Sequence, residues 1–269
     1  MFTKRPNKRA ICLFLCVLLM NVLTATDARK TPAGRRICEL ANAEKDFLTL
    51  LGLREDVSDT EIVQLLDIPE KQIFAMGVVK YRKISSAASK LLQIVNDTDT
   101  LLPAKICAAD TLCSLGNKEW VPTIKSLSLD PNSIVARTTL SIKVAGLLAR
   151  TGDYSQFEIV AGAIGDSGKY VRFSGICELA NFRHKTNPVT DLAVELLLSV
   201  ATTDPEFGLR KMAIYSLEKI AKEKPQIIPN LIHALEANKD SPDKYLGITS
   251  RVMIKIYGPK RNEEESKQP

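Results

Sequence analysis

The sequence contains few of the residues and motifs that side-chain catalysis requires. Its 269 residues include two histidines, His184 and His233, and neither has another histidine, a cysteine or a carboxylate four positions later. A metal site needs several such ligands to converge, and a serine or cysteine nucleophile needs a base such as histidine beside it. A G-x-S-x-G motif and a glycine-rich phosphate loop are also lacking. We therefore predict no catalytic residue, no cofactor-binding residue and no metal ligand.

Long apolar runs are lacking as well, except near the N terminus. Residues 11–23 are almost wholly apolar, and four basic residues precede them: Lys4, Arg5, Lys8 and Arg9. Ala25 and Ala28 then offer small side chains for cleavage. This three-part layout predicts a secretory signal peptide over residues 1–28. A membrane-spanning helix needs roughly 20 apolar residues, so a retained membrane anchor is the weaker interpretation.

The chain has little net charge once the predicted signal peptide is set aside. Removal of residues 1–28 takes away four basic residues and one acidic residue, which lowers the formal charge from +6 to +3. Nucleic-acid binding usually requires a strongly basic face. The composition therefore argues against nucleic acid as the partner, and it leaves a membrane as a partner only through an uncleaved signal.

The cysteines do not form an obvious disulfide set. There are six: Cys12, Cys16, Cys38, Cys107, Cys113 and Cys177. The first two lie in the predicted signal peptide. Cys107 and Cys113 are six residues apart on one predicted helix, which separates them by about 9 Å along its axis, whereas the Cα atoms of a disulfide lie within about 7 Å. We expect these two and Cys177 to be reduced thiols that fill the core, and the state of Cys38 stays open.

Strand signals are nearly absent, because no segment shows sustained period-2 alternation. The chain instead repeats one pattern with a period of about 36 residues. An acidic residue starts each copy, and a basic residue follows six or seven positions later. The four clear copies start at Asp99, Asp130, Asp166 and Asp204, and their basic residues are Lys105, Arg137, Arg172 and Arg210. A degenerate earlier copy starts near Asp67, and a fifth copy starts at Asp240 without the basic residue.

Small and apolar residues complete each copy. At plus nine stand Ala108, Gly175 and Ala213, which let a neighbouring helix approach, and at plus thirteen stand Leu112, Leu179 and Leu217. Another helical pattern precedes each acidic residue, as in residues 157–164 and 188–200. A helix, a tight acidic turn and a second helix therefore form one unit. We predict an all-α fold, an α-solenoid of antiparallel helical hairpins preceded by the signal peptide.

Several helix starts are also marked in the sequence. Ser58 and Glu61 have the spacing of a capping box before the apolar residues 62–66. Prolines follow residues able to cap a second helix in three copies: Asp130-Pro131, Asp204-Pro205 and Ser241-Pro242. Because proline suits the first helical turn, we expect these second helices to begin at the prolines.

The repeat resembles the HEAT-repeat family, particularly its short bacterial-type repeats related to those of phycobilisome lyases. The resemblance covers roughly residues 67–257 and is closest at Asp166, Val171 and Arg172 and at Asp204, Leu209 and Arg210. It implies a superhelix of hairpins in which the repeated acidic and basic residues form a structural ladder. We expect that ladder to comprise Asp99, Lys105, Asp130, Arg137, Asp166, Arg172, Asp204 and Arg210.

The organisation predicted from these patterns has four parts. They are the signal peptide (residues 1–28), an N-terminal helical cap (29–66), the HEAT-like repeats (67–257) and a charged, disordered tail (258–269). The tail is assigned from its composition, since it contains no apolar residue that could pack.

The predicted function follows from the export signal, the hairpin stack and the lack of catalytic motifs. Second helices should line the concave side of the stack, which suits a protein or peptide partner. We expect an exported, non-enzymatic scaffold or adaptor for protein–protein interaction. Two alternatives follow from other HEAT-like proteins: a bilin lyase-like enzyme, and a nucleic-acid-binding protein with a basic, aromatic-lined groove.

Overall fold

The structure, a computed structural model, describes residues 44–129, 139–184 and 186–258. Within those ranges the regular structure is entirely helical, and no strand is present. The predicted all-α fold is confirmed. A helical segment covers residues 44–51. The helices that follow are α1 (Asp59–Gln64), α2 (Gln72–Arg82), α3 (Ala88–Asn96), α4 (Leu102–Ser114), α5 (Val121–Leu129), α6 (Thr139–Ala149), α7 (Phe157–Ile164), α8 (Lys169–Leu179), α9 (Pro188–Thr203), α10 (Phe207–Ala221), α11 (Ile228–Glu236) and α12 (Lys244–Tyr257).

Some of the predicted features lie outside the described residues. These are the signal peptide, the first part of the cap up to residue 43, the ladder residues Asp130 and Arg137, and the tail from residue 259.

The chain forms two compact units, and the first is Met1–Asp153. Its helices pack in pairs along the sequence: α1 with α2, α3 with α4, and α5 with α6. The second helices also contact one another in order, α2 with α4 and α4 with α6. Their common core contains Trp120, Leu91, Leu112 and Leu147. The first unit is therefore a stack of helix pairs in which the second helices are neighbours.

The second unit, Tyr154–Pro269, repeats this arrangement. Its pairs are α7 with α8, α9 with α10, and α11 with α12. Short connections join the two helices of each pair, so the two helices run antiparallel. The first helices contact one another in order, and so do the second helices α8, α10 and α12. Leu179 and Leu217, at plus thirteen in their copies, are fully buried between these layers.

Gly175 shows why the repeat requires a small residue at plus nine. A Cβ atom at this position of α8 would lie 3.0 Å from the Cβ of Ala163 and 3.1 Å from the Cδ1 of Ile164. Both neighbours belong to α7, the first helix of the same hairpin. The glycine therefore allows the two helices to approach more closely than any side chain would permit.

The structure agrees with the helix start predicted for α1 but not with those predicted for two later helices. The capping box of α1 is present: Ser58 Oγ accepts from the backbone N–H of Glu61, and the Glu61 carboxylate accepts from that of Ser58. The prediction that α10 and α12 begin at Pro205 and Pro242 is wrong, because they begin at Phe207 and Lys244. Asp204 and Ser241 instead accept hydrogen bonds from backbone N–H groups two residues later, which closes a turn before each helix.

Candidate functional site

Two of the predicted ladder residues form an ion pair with each other in the second unit. The guanidinium of Arg172, at the start of α8, lies with its Nε 2.9 Å from Oδ2 of Asp204, in the turn before α10. The same guanidinium donates to the backbone carbonyls of Asp166 and Ser167, at 3.0 and 3.1 Å. Arg172 thus joins its own turn to the turn of the next hairpin. The contact fixes the register of two successive second helices.

The remaining described ladder residues have different partners. Arg210 donates through Nε to the backbone carbonyl of Asp204, and its guanidinium lies 5.5 Å from the ring centre of Phe207. In the first unit Asp97, rather than Asp99, organises the turn, because its carboxylate accepts from Thr100 Oγ1 and from the backbone N–H of Asp99. These bonds lower the pKa of Asp97, with a smaller contribution from the charge of Lys105.

The first unit contains a buried ionic cluster that the repeat pattern did not reveal. Asp110 of α4 accepts from Lys80 of α2 at 2.9 Å and from Arg150, directly after α6. Lys143 of α6 lies close enough to act electrostatically on the Asp110 carboxylate. The side chains of Asp110, Lys80 and Lys143 are all buried. One carboxylate therefore connects the second helices of three successive pairs.

The electrostatics of this cluster follow from burial and from the surrounding charges. Burial alone would raise the pKa of the Asp110 carboxyl, but the three neighbouring cations outweigh it and hold that pKa well below its usual range. Burial also lowers the pKa of the Lys80 ammonium, and the charge of Asp110 opposes that shift. A signal was present in the sequence, since each of these residues interrupts an apolar stretch of a second helix.

In the second unit, hydrogen bonds between side chains, rather than a buried ionic cluster, join the second helices. Asn181, just after α8, donates to Glu178 at 2.6 Å and accepts from Lys219 of α10 at 3.2 Å. The hydroxyl of Tyr257, at the end of α12, donates to Glu218 of α10 at 3.0 Å. These contacts place α8, α10 and α12 side by side and in the same direction. Neither glutamate was predicted from the repeat pattern.

One side of these three helices forms a candidate binding surface, which we call the second-helix face of the second unit. It comprises Tyr170 and Phe173 of α8, Lys211, Tyr215 and Lys219 of α10, and Tyr245, Ile248, Val252 and Ile256 of α12. The bond from Lys219 to Asn181 shows that the rows on α8 and α10 are adjacent. The charged members of this face are both lysines, and the other members are aromatic or aliphatic.

Exposure of apolar side chains is greatest on α12. Tyr245 is 75% exposed, Ile248 37%, Val252 49% and Ile256 58%. Large apolar side chains exposed singly are ordinary, but a continuous row of them marks an interaction surface. The exposed apolar row of the second-helix face therefore lies on α12.

The two histidines lie apart from these features. His184 is an exposed loop residue whose backbone N–H donates to Thr190 Oγ1, and its ring packs edge-on to Tyr154 at 6.4 Å. His233 is exposed on α11. Among the described residues, no group of three or more histidine, cysteine, aspartate or glutamate side chains is arranged to hold a metal ion. The described helices include none that is long and apolar enough to span a membrane.

The cysteines and the tryptophan contribute to packing. Cys107 and Cys177 are buried, and in the described structure Cys107, Cys113 and Cys177 are not cross-linked to one another. The ring of Trp120 is fully buried, and its Nε1 donates to the carbonyl of Asn117 at 2.8 Å. Trp120 is therefore a core residue of the first unit, as its position beside Val121 and Ile124 indicates.

Comparison with known proteins adds little to this geometry. No protein-family model matches the chain, and no curated protein sequence matches it. Among solved structures, the chain is similar to human deoxyhypusine hydroxylase in complex with glycerol, with 15% identity over 92% of this chain and 99% of that chain. The TM-score of that match is 0.30, which is too low for an inference about fold or function. The repeat architecture stated above follows from the helix contacts alone.

Proposed function

We propose that this protein is an exported, non-enzymatic scaffold or adaptor of the HEAT-repeat type, which binds a protein partner on its second helices. The observation that carries the proposal is the second-helix face, where aromatic and aliphatic side chains of successive hairpins share one surface with lysines. Aromatic residues concentrate binding energy at protein interfaces because they bury a large area with few rotatable bonds.

The inter-helix contacts support a scaffolding role for a physical reason. Arg172 with Asp204, Asn181 with Lys219 and Glu218 with Tyr257 each join one hairpin to the next. Such contacts hold the second helices at fixed spacing, so the surface is formed before a partner arrives. A pre-organised surface loses less conformational entropy on binding than a mobile one.

The test is capture of partners with surface variants. The mature chain would be immobilised and exposed to proteins of its native compartment, in parallel with a Tyr170→Ser/Tyr245→Ser variant. A matched control is Leu192→Ser, which changes a residue of the first helix α9 that is 48% exposed. We expect a discrete set of proteins that is retained by the wild type and by the control but is lost from the double variant. Equal capture by all three chains would contradict the proposal.

A second candidate, single-stranded nucleic-acid binding, is favoured by one observation. The second-helix face combines Lys211 and Lys219 with tyrosines, and bases stack on aromatic rings beside basic side chains. Titration with a labelled single-stranded oligonucleotide would test it. Binding that weakens steeply with added salt and is lost in the Tyr170→Ser/Tyr245→Ser variant would favour this function over protein binding.

A further inference from the structure

The apolar residues exposed on α12 specify the kind of partner more narrowly than the other residues of the second-helix face do. We propose that this α12 stripe, formed by Tyr245, Ile248, Val252 and Ile256, docks an acidic amphipathic helix of the partner protein. The inference rests on the proposed function, since it specifies the partner of the same surface. Four observations support it: the comparison with α10, the geometry of the stripe, the flanking charges and the composition of residues 259–269.

Comparison with α10 shows that the residues of the stripe differ from the corresponding residues of the preceding hairpin. The two helices align at an offset of 37 residues, because buried Leu209, Ala213 and Ser216 correspond to buried Leu246, Ser250 and Met253. In that register, Lys211, Tyr215 and Lys219 of α10 correspond to Ile248, Val252 and Ile256 of α12. The row is therefore mostly basic and half-buried on α10 but aliphatic and more exposed on α12. A row that becomes more apolar where it is more exposed is typical of an interface.

The spacing of the stripe matches a helix as the occupant. Ile248, Val252 and Ile256 follow one another at intervals of four residues, so they form one continuous ridge. Ridges of this i, i+4 kind pack into the groove between the corresponding rows of another helix. From Tyr245 to Ile256 the stripe extends about 16 Å, which corresponds to about three helical turns.

The charges beside the stripe determine which charge the partner helix must carry. Lys244, Arg251 and Lys255 are exposed, and α12 contains no acidic residue. The guanidinium of Arg251 donates to the backbone carbonyl of Lys239 at 2.6 Å, a neutral acceptor that leaves its positive charge in place. The carboxylate of Asp243, immediately before α12, is committed to capping the helix, where it accepts from the backbone N–H of Leu246 at 2.7 Å. An occupant with glutamate or aspartate beside its apolar ridge would pair with these cations. Complementary charge also steers association.

Two other occupants fit these observations less well. A second copy of α12 would place three cations against three cations, which is unfavourable. Residues 259–269 contain no aliphatic or aromatic residue, so this segment has nothing to bury against the stripe. An acidic helix of a different protein therefore complements the apolar and basic residues of α12 better than either of these occupants.

The experiment uses the full mature chain and a designed probe. The probe is a labelled helical peptide of about five turns, with leucines at i, i+3, i+4 and i+7 and glutamates on both flanks. Its twin carries lysine at every glutamate position. Binding is measured by fluorescence anisotropy to the wild type, to Val252→Glu and to the control Leu192→Glu on α9. Circular dichroism and thermal unfolding verify that all three chains are folded.

We expect the acidic peptide to bind the wild type and the Leu192→Glu control with equal affinity. Its affinity for Val252→Glu should fall by about tenfold or more, and the lysine twin should bind the wild type at least about tenfold more weakly. An Ile256→Ser variant, which adds no charge, should also weaken binding of the acidic peptide. Competition by unlabelled acidic peptide would show that the site saturates.

Several outcomes would overturn the inference. They are no saturable binding of the acidic peptide up to about 1 mM, equal binding to Val252→Glu, or equal binding of the lysine twin. Adsorption to anionic phosphatidylglycerol vesicles that Val252→Glu abolishes, without peptide binding, would assign the stripe to a membrane. A dimer that Val252→Glu dissociates would assign it to a second copy. If partner capture is lost in a Tyr170→Ser single variant while Val252→Glu has no effect on it, the inference fails and the proposed function stands.

Discussion

At the scale of single residues, Asp110 is a carboxylate that three cations surround. Its carboxylate is buried and accepts from Lys80 and Arg150, which belong to two other hairpins. Burying charges is costly, and their mutual attraction compensates only when the partners are well placed. The cluster therefore contributes less to total stability than to the choice of one register among the second helices. Removing one partner, however, leaves the other charges buried and uncompensated.

Replacement of Asp110 tests this balance. We expect Asp110→Asn to lower the free energy of unfolding by about 3–5 kcal/mol, because Lys80 then remains buried as an uncompensated cation. Urea unfolding followed by circular dichroism measures the change. The matched control is Asp191→Asn, since the Asp191 side chain that pairs with Lys224 is 62% exposed and loss of the pair should cost about 0–1 kcal/mol. Equal effects of the two variants would show that the buried cluster has no special role.

The same carboxylate predicts how stability depends on pH. The pKa of Asp110 is depressed in the folded state, so its contribution is fully present above the pKa of an unfolded aspartate, about 3.9. That contribution is lost as the pH falls below about 4 toward the folded pKa. The difference in unfolding free energy between the wild type and Asp110→Asn should therefore narrow by about 1 kcal/mol between neutral pH and about pH 3. A constant difference across this range would contradict the assignment.

At the scale of helices, the fit of α7 against α8 depends on a missing side chain. Gly175 lies where a Cβ would meet Ala163 and Ile164 of α7, and where the carbonyl oxygen of Val160 would lie 3.3 Å away. Two of these three neighbours are a backbone atom and a Cβ atom, which cannot move without moving the helix. The two helices of this hairpin can therefore pack at their present distance only with glycine at position 175.

An alanine pair tests the helix contact. Gly175→Ala should lower the free energy of unfolding by about 1–3 kcal/mol, since overpacking exceeds the gain in helix propensity. Gly162→Ala on α7 is the control, because a Cβ there meets nothing within 4 Å. The control should instead gain about 0.5–1 kcal/mol from the lower backbone entropy of the unfolded chain. Chemical denaturation measures the free energy of unfolding of both variants. Stabilisation by Gly175→Ala would show that the two helices can move apart without cost.

The helices also show which structural features could be predicted from sequence patterns and which could not. The period, the apolar faces and the small residues at plus nine predicted the hairpins, because burial of one face is a local property of each helix. The starts of α10 and α12 were predicted two residues too early. Asp204 and Ser241 can either cap a helix directly or close a turn before it, and the sequence alone does not distinguish these roles.

At the scale of the whole molecule, export is the property on which the proposed function most depends. The basic start, the apolar residues 11–23 and the small residues that follow predict cleavage after Ala28. Mass spectrometry of the protein recovered from its native compartment should show a chain that begins at Arg29. A Leu15→Arg variant should remain unprocessed, because a charge in the apolar segment prevents its insertion. Recovery of the full-length chain from a membrane fraction would instead favour the retained anchor.

The sequence by itself determined that the chain is helical, that its helices pair and that certain positions must be small. Each of these depends on residues within one turn or one hairpin, whose spacing can be read directly. Only the tertiary structure decided that Asp110 joins three hairpins, that Arg172 pairs with Asp204 of the next copy, and that the stripe on α12 is exposed while the matching row of α10 is half-buried. Those ion pairs connect residues thirty or more positions apart. The burial that gives them their strength exists only once the neighbouring helices are in place.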